Sequence, residues 1–231
     1  MPQFKVAVYL YPKADLLDFS GPVEIYSYYP YEGSTEQPFS VTSFAHHNPV
    51  TSGSSALVYV PNATFADVSE RIEDFDILVI PGAHFDTIAD LINAEEGKEL
   101  CQLIQKFTQS KPRSETGKRI LQSVCTGSVL IAASGVLAGR TITTHHMGLD
   151  MLKRVADDAA GGDSKVNVVR QRWVDAGTTE AGVRIVNAGG VSSGIDATIW
   201  IVEQLHGKAA ADQVADIAEF ERRDAAWGVS T

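Results

Sequence analysis

Arg119-Ile-Leu-Gln-Ser-Val-Cys-Thr-Gly-Ser128 is the stretch of the chain that most strongly indicates its fold. Arg119–Val124 has the apolar character of a strand, and the small and apolar residues that follow predict a helix over Thr126–Ala133. Cys125 therefore stands at a strand-to-helix turn, with Ser123 and Gly127 on either side of it. Small neighbours permit the tight turn that lifts a nucleophile out of a sheet. The stretch predicts a cysteine nucleophile elbow.

The helix after Cys125 gives a physical reason for reactivity. Its N-terminus is positive and offers backbone N–H groups, and both effects lower the pKa of a nearby thiol. We therefore expect an ionised, accessible thiol at Cys125. The alternative is a buried structural cysteine. The other cysteine, Cys101, belongs to an amphipathic helix predicted over Lys98–Gln109, where we expect it to fill space in the core.

Apolar runs and helical stretches alternate along the rest of the chain, which predicts an α/β fold with a mostly parallel sheet and helices on both faces. Strands are predicted over Phe4–Tyr11, Phe39–Ala45, Ala56–Val60, Asp76–Ile80, Arg119–Val124, Thr141–Thr144, Val166–Val174 and Val183–Val186. Further helices are predicted over Gly21–Tyr29, Ile195–Leu205 and Ala209–Phe220, and a hairpin is predicted around Asn48–Gly53. No linker stands out, so we expect a single domain over residues 1–231.

Composition restricts the function. The 231 residues are 44% hydrophobic and 21% charged, as expected of a packed globule, and the net charge of −10 argues against nucleic-acid binding. No apolar run reaches the roughly 20 residues of a membrane span. Two cysteines are too few for a disulfide framework, and Met1–Lys5 does not resemble a secretory leader. We expect a cytoplasmic protein with free thiols.

Ligands of open α/β sheets bind beyond the carboxyl ends of the strands. Three predicted strand ends carry small residues: Pro81-Gly82-Ala83, Ser123–Ser128 and Ala188–Val191. Glycine at Gly190 lets the backbone come close to such a site. The spacing of a nucleotide-binding glycine loop is absent.

Several motifs occur in an order that resembles the ThiJ/PfpI superfamily, and within it the isocyanide (isonitrile) hydratase group. They are Leu17-Asp18-Phe19-Ser20-Gly21-Pro22, Ile80-Pro81-Gly82, Ser123-Val124-Cys125-Thr126-Gly127-Ser128, Leu137–Arg140 with Thr143-Thr144-His145, and Gly189-Gly190 with Gly194-Ile195-Asp196. The resemblance covers about Phe4 to Leu205. It implies a flavodoxin-like sandwich, a homodimer, a reactive elbow cysteine, a small-molecule substrate and no cofactor or metal.

Other branches of this superfamily fit less well. The glutamine amidotransferase triad needs a late His-x-Glu pair, but His206 is followed by Gly207 and Lys208. The protease branch has histidine where this chain has Thr126, and the chain ends at Thr231 without room for a helix-turn-helix region. The glyoxalase-like branch uses a glutamate near the first strand and a histidine beside the cysteine, whereas this chain offers Asp18.

The resemblance assigns roles to further residues. Asp18 lies beside the cysteine in the hydratases, where a carboxyl of raised pKa can move protons; the alternative is a cap for the helix predicted to start near Gly21. The backbone N–H groups of Ala83 and Thr126, next to Gly82, are expected to bind a developing anion.

Three side chains have open roles. His84 is either a residue of the pocket mouth or an exposed loop histidine. Glu24 is expected in the first turn of its helix, where acidic residues favour the helix dipole. His146 replaces a tryptophan that is common in the hydratases, and adjacent histidines make a poor metal site.

The sequence therefore predicts hydration of an isocyanide to an N-substituted formamide through Cys125 and Asp18. The alternatives are a glyoxalase-like enzyme for small carbonyls, a biosynthetic enzyme that uses the same thiolate, and a non-enzymatic redox sensor at Cys125.

Overall fold

The computed structural model describes residues 3–28 and 36–228. The strands in these ranges are β1 (Phe4–Tyr9), β2 (Phe39–Ala45), β3 (Val50–Thr51), β4 (Val58–Tyr59), β5 (Ala63–Thr64), β6 (Ile77–Ile80), β7 (Arg119–Ser123), β8 (Thr141–Ile142), β9 (Asn167–Val168), β10 (Trp173–Thr178) and β11 (Val183–Ala188). The helices are α1 (Leu16–Ser27), α2 (Phe65–Glu70), α3 (Phe85–Asn93), α4 (Glu95–Gln109), α5 (Gly127–Ala133), α6 (Leu149–Ala160), α7 (Ser193–His206) and α8 (Lys208–Ile217). Short 3-10 turns lie at Ile72–Asp74 and His146–Gly148.

Seven of the described strands form one sheet, in the order β10-β11-β7-β6-β1-β2-β5. All neighbours in it are parallel except the edge pair β10 and β11. The register aligns Ile80 with Ser123, and Ser123 with Asn187. The carboxyl ends of β6, β7 and β11 therefore meet at one edge of the sheet. The predicted mostly parallel α/β sheet is confirmed.

Helices cover the sheet. Every residue of β6 and β7 is buried. Helix α1 packs against α7, while α3 and α4 pack against α5. Strands that are buried throughout need cover on both faces, which explains the continuous apolar run of β6. None of the helices in the described part of the chain is both long and apolar enough to cross a membrane.

The first helix differs from its prediction. It begins at Leu16 rather than Gly21, so Pro22 lies inside it and Glu24 occupies its third turn instead of its first. The buried face formed by Phe19, Ile25 and their neighbours outweighs the cost of a proline inside the helix. The predicted end at Tyr29 lies outside the described residues.

The strand predicted over Ala56–Val60 also pairs differently from its prediction. Ala56–Val60 does not pair with β2; its residues in β4 form a small antiparallel ribbon with β3, and β2 pairs with β1 and β5. The predicted strand Val166–Val174 is divided into β9 and β10, and Thr141–Thr144 is reduced to β8. Helices α2, α3 and α6 were not predicted.

A buried arginine anchors the amino end of β7. Arg119 is 1% exposed, and its guanidinium lies 4.7 Å from the centre of the Phe107 ring. It donates hydrogen bonds to the backbone carbonyls of Ile72, Glu73, Phe75 and Lys111. One side chain thus ties the loops around β6 and β7 together, which holds the register of the two central strands.

Arg119→Met should lower the free energy of unfolding by about 2–4 kcal/mol, because it leaves several carbonyls without a donor. Urea denaturation measures the change. The matched control is Arg154→Met, since Arg154 is exposed on α6. Equal stability of the two variants would contradict this role for Arg119.

Candidate active site

The structure places Cys125 in a tight turn between β7 and α5. Its φ is +57°, in the left-handed region that a residue with a side chain rarely adopts. Hydrogen bonds fix this conformation: the Cys125 N–H donates to Gly189 O at 2.9 Å, and the Thr144 hydroxyl donates to Cys125 O at 2.9 Å. A Cβ at Gly127 would lie 2.2 Å from Ile80 O, so the turn requires glycine there. Such strain at a strand end is typical of a nucleophile elbow.

Asp18 lies beside this elbow, in the first turn of α1. Its side chain is fully buried, and Oδ2 accepts a 3.0 Å hydrogen bond from the Gly82 N–H. The carboxylate is therefore directed across to the end of β6 rather than used to cap its own helix. A Cβ at Gly82 would come within 2.8 Å of Asp18 Oδ2 and 2.6 Å of Thr126 N. Only glycine permits this close approach.

Three acidic groups crowd together at the elbow. A carboxylate oxygen of Asp15, one of Asp18 and the Cys125 sulfur all lie within 4.8 Å of one another. Burial, and then the charge of Asp15, raise the pKa of Asp18 to about 7, while hydrogen bonds from Gly82 and Cys125 lower it only in part. Oδ1 of Asp18 is buried and has no hydrogen-bond partner among the described residues. A half-protonated carboxyl next to a thiol is suited to transfer protons.

The prediction of a lowered thiol pKa is wrong. Burial, and then the charge of Asp18, raise the pKa of Cys125 to about 12, although the N–H groups of Thr126 and Val191 lower it. Cys125 is only 3% exposed. The helix N-terminus is present as expected, but desolvation and a like charge outweigh it. Between about pH 7 and pH 12 the Cys125–Asp18 pair therefore holds one proton.

Each backbone donor of the site has a partner in this structure. The Gly82 N–H donates to Asp18, and the Thr126 N–H donates to the Cys125 sulfur. The Ala83 N–H donates to the Thr126 hydroxyl at 2.9 Å, and this hydroxyl donates to Ala83 O at 2.7 Å. An anion can use the Ala83 N–H only if it displaces the hydroxyl of Thr126. The role of these groups in anion binding stays a prediction.

The remaining predicted residues lie farther out. His84 is the exposed N-cap of α3 and pairs with Asp86 at 3.5 Å. Gly190 lies against the ring of His145, because a Cβ there would come within 2.6 Å of that ring. His146 and Glu24 are exposed. Glycine at position 190 thus makes room for a histidine at the rim of the site.

Sequence reasoning missed four residues of the site. Asp15 lies three positions before Asp18, a spacing that places both on one face of a helix start, and this could have found it. His145 is within electrostatic reach of Asp15. Tyr11 is buried at the end of the first strand and donates to Pro81 O at 2.9 Å. Val191, with φ +40°, offers its N–H to the sulfur, which no pattern in the sequence indicates.

Comparison with known proteins agrees with this geometry. The model of the DJ-1/PfpI family matches residues 4–183. A protein named isonitrile hydratase from Pseudomonas putida is 27% identical over 203 residues, which cover 88% of this chain and 72% of that protein. DJ-1 protein homolog E from Arabidopsis thaliana is 32% identical over 78 residues, 34% of this chain and 16% of that protein.

Solved structures show the same fold. A THiJ/PfpI family protein from Pseudomonas syringae superposes with a TM-score of 0.71 at 23% identity, over 100% of this chain and 80% of that one. Drosophila melanogaster DJ-1beta superposes with a TM-score of 0.70 at 16% identity, over 95% of this chain and 100% of that one.

The raised pKa of Asp18 makes stability depend on pH. The unfolded chain releases this proton near pH 4, whereas the folded protein keeps it until about pH 7. The stabilisation that the folded protein gains from the protonated Asp18 carboxyl is therefore fully present below pH 4 and is lost as the pH rises to 7. The loss in the free energy of unfolding is on the order of 4 kcal/mol. Asp18→Asn should remove this loss and be more stable than the parent protein at pH 8.

Urea unfolding at a series of pH values from 4 to 8 tests this expectation. Asp90→Asn is the control, because Asp90 is exposed on α3. If Asp18→Asn and Asp90→Asn gave parallel pH profiles, Asp18 would not carry a raised pKa.

Proposed function

The chain belongs to the DJ-1/PfpI family, and from the elbow geometry we propose that it is an isocyanide hydratase that needs no cofactor. The observation that carries the proposal is the buried Cys125–Asp18 pair, which holds one proton near neutral pH. The relative named isonitrile hydratase supports it, since it is similar over 88% of the chain. The substrate is a small molecule with a terminal isocyanide.

Burial of the sulfur suits this class of substrate. Cys125 is 3% exposed, so little of the residue is open to a bulky ligand. An isocyanide presents its reactive carbon at the end of a linear N≡C group. Such a group needs little width, whereas a planar carbonyl carries substituents on both sides of its carbon.

The first step adds the thiol across the terminal carbon. The sulfur attacks this carbon while its proton passes to the Asp18 carboxylate, and Asp18 then delivers the proton to the same carbon. The product is a thioimidate, Cys–S–CH=N–R, in which one S–C bond and one C–H bond have formed. The Thr126 and Val191 N–H groups hold the charge that develops on the sulfur during the transfer.

The second step releases a formamide. Asp18 takes a proton from water as the water oxygen attacks the thioimidate carbon, and Asp18 then passes this proton to the nitrogen. The C–S bond of the tetrahedral intermediate then breaks, and the hydroxyl proton returns to the Cys125 sulfur through Asp18. The sum is R–NC plus water giving R–NH–CHO, with the enzyme regenerated. Covalent catalysis divides one difficult addition into two easier steps.

The alternatives have less support. A redox sensor depends on an exposed thiolate, whereas Cys125 is buried and its pKa is raised. A glyoxalase-like mechanism places a glutamate and a histidine at the cysteine. Here the neighbour of Cys125 is Thr126, and Glu24 is exposed. Lactate formation from methylglyoxal would favour the glyoxalase alternative.

We further propose a homodimer in the cytoplasm. Leu16 and Leu17 on α1 and Val191 at the elbow are each more than a third exposed, which is unusual for large apolar residues beside a site. Both cysteines are free, as a reducing compartment maintains them.

Cys125→Ala should lower the turnover of p-nitrophenyl isocyanide by at least about a thousandfold, because the covalent route is lost. Formation of the formamide, followed by chromatography, measures it. Cys101→Ala is the control and should keep full activity. Equal turnover by Cys125→Ala and the parent protein would end the proposal.

The pH profile tests the pair itself. The reactive form carries one proton on Cys125 and Asp18, so kcat/KM should rise tenfold per pH unit below about pH 7 and level off above it. Asp18→Asn should remove this rise together with most of the activity. A profile that rises only at strongly alkaline pH would assign the reaction to free thiolate, without Asp18.

A further inference from the structure

A cavity of about 280 Å³ lies beside the elbow and has a basic wall. Twelve residues line it, among them His145, His146, Arg170, Arg172 and Val191. Two of these residues are arginines, two are histidines, and none is acidic. In a chain of net charge −10, a wall without carboxylates indicates a site for an anion.

Hydrogen bonds join this wall to the nucleophile. The Cys125 N–H donates to Gly189 O at 2.9 Å, and the Gly189 N–H donates to Arg172 O at 2.8 Å. Two backbone hydrogen bonds thus connect Cys125, through Gly189, to Arg172. Val191 belongs to both, because it lines the cavity and offers its N–H to the Cys125 sulfur. A ligand in the cavity therefore contacts a residue, Val191, whose N–H is bonded to the Cys125 sulfur.

The two arginines differ in whether their charge is already paired with a carboxylate of the protein. Arg172 pairs with the buried Asp196 at 2.6 Å and stacks on Trp227 at 5.0 Å, so its charge is neutralised and its position fixed. Arg170 is exposed and forms no ion pair within residues 3–28 and 36–228. Arg170 is thus the cation of this wall that can still take a carboxylate.

The histidines add hydrogen-bond donors. His145 Nδ1 accepts from the Met147 N–H at 3.3 Å, so the neutral ring carries its proton on Nε2. Burial, and then the neighbouring His146, lower the pKa of His145, which keeps this ring neutral at pH 7. A neutral N–H donor beside Arg170 suits an oxyanion.

We propose that this cavity binds a carboxylate on the substrate, with Arg170 as the residue that selects it. Resting on the proposed function, this assigns the substrate to the isocyano carboxylic acids, whose product is an N-formyl amino acid. The guanidinium can hold a carboxylate through two parallel hydrogen bonds, which fixes the rest of the molecule relative to Cys125. The cavity volume is at the lower end for ligand pockets, so the acid is small.

Binding of the product tests the site without any turnover. Isothermal titration compares N-formylglycine with N-formylglycinamide, which has the same shape without the charge. We expect the acid to bind at least about tenfold more tightly, which is about 1.4 kcal/mol. Arg170→Met should abolish this preference, and the matched control Arg154→Met should keep it. Equal affinity for acid and amide, or the same loss in both variants, would overturn the proposal.

Phosphate binding and the activity assay provide two further tests of the carboxylate site. Inorganic phosphate that bound as tightly as N-formylglycine, with the same dependence on Arg170, would overturn the assignment to a carboxylate. In the activity assay, Arg170→Met should lower kcat/KM for isocyanoacetate about tenfold more than it lowers kcat/KM for methyl isocyanoacetate.

Failure of the two proposals can be told apart. Turnover of both isocyanides without a preference for the acid, and without binding of N-formylglycine, would overturn only the carboxylate site. Binding of N-formylglycine that depends on Arg170, with no turnover of either isocyanide, would support the site and overturn hydration.

Discussion

The hydrogen bond from the Gly82 amide to the Asp18 carboxylate is the contact on which the site depends. It joins the start of α1 to the end of β6, which are 64 residues apart in the chain. Glycine at 82 is what allows it, because a side chain there would meet both Asp18 and Thr126. Once this bond is made, the carboxyl has a fixed place against Cys125, and the parallel register of β6, β7 and β11 supplies the elbow that holds the sulfur.

Burial then determines the chemistry. Two acidic groups enclosed together cannot both ionise, so Asp18 and Cys125 share a proton over the neutral range. The raised pKa of Cys125 means that its thiol is protonated at neutral pH. In the proposed reaction the thiolate forms only when the proton passes to Asp18. In the proposed carboxylate site, the basic cavity beside the pair would orient a substrate that the pair alone does not orient.

The sequence allowed much of the fold to be predicted, because continuous apolar runs such as Ile77–Ile80 show a buried strand directly. The elbow and Asp18 followed from motif spacing and family resemblance. The direction of the Cys125 pKa could not be predicted, since it depends on burial and on the charge of Asp18, which only the folded chain brings together. The N–H of Val191 and the wall around Arg170 were missed for the same reason, whereas the three-residue spacing of Asp15 and Asp18 could have indicated Asp15. The start of α1 was predicted too late because tertiary packing outweighed the local preference of Pro22.

The most direct test is a titration of the Cys125 thiol in the Cys101→Ala protein, followed by the ultraviolet absorbance of the thiolate. Burial beside Asp18 predicts no thiolate at pH 7 to 9, with ionisation only on approach to about pH 12. Asp18→Asn removes the like charge and should shift this ionisation to lower pH. A thiolate signal already present at pH 7, and absent in Cys125→Ala, would contradict the assignment of the pair's proton to the sulfur of Cys125.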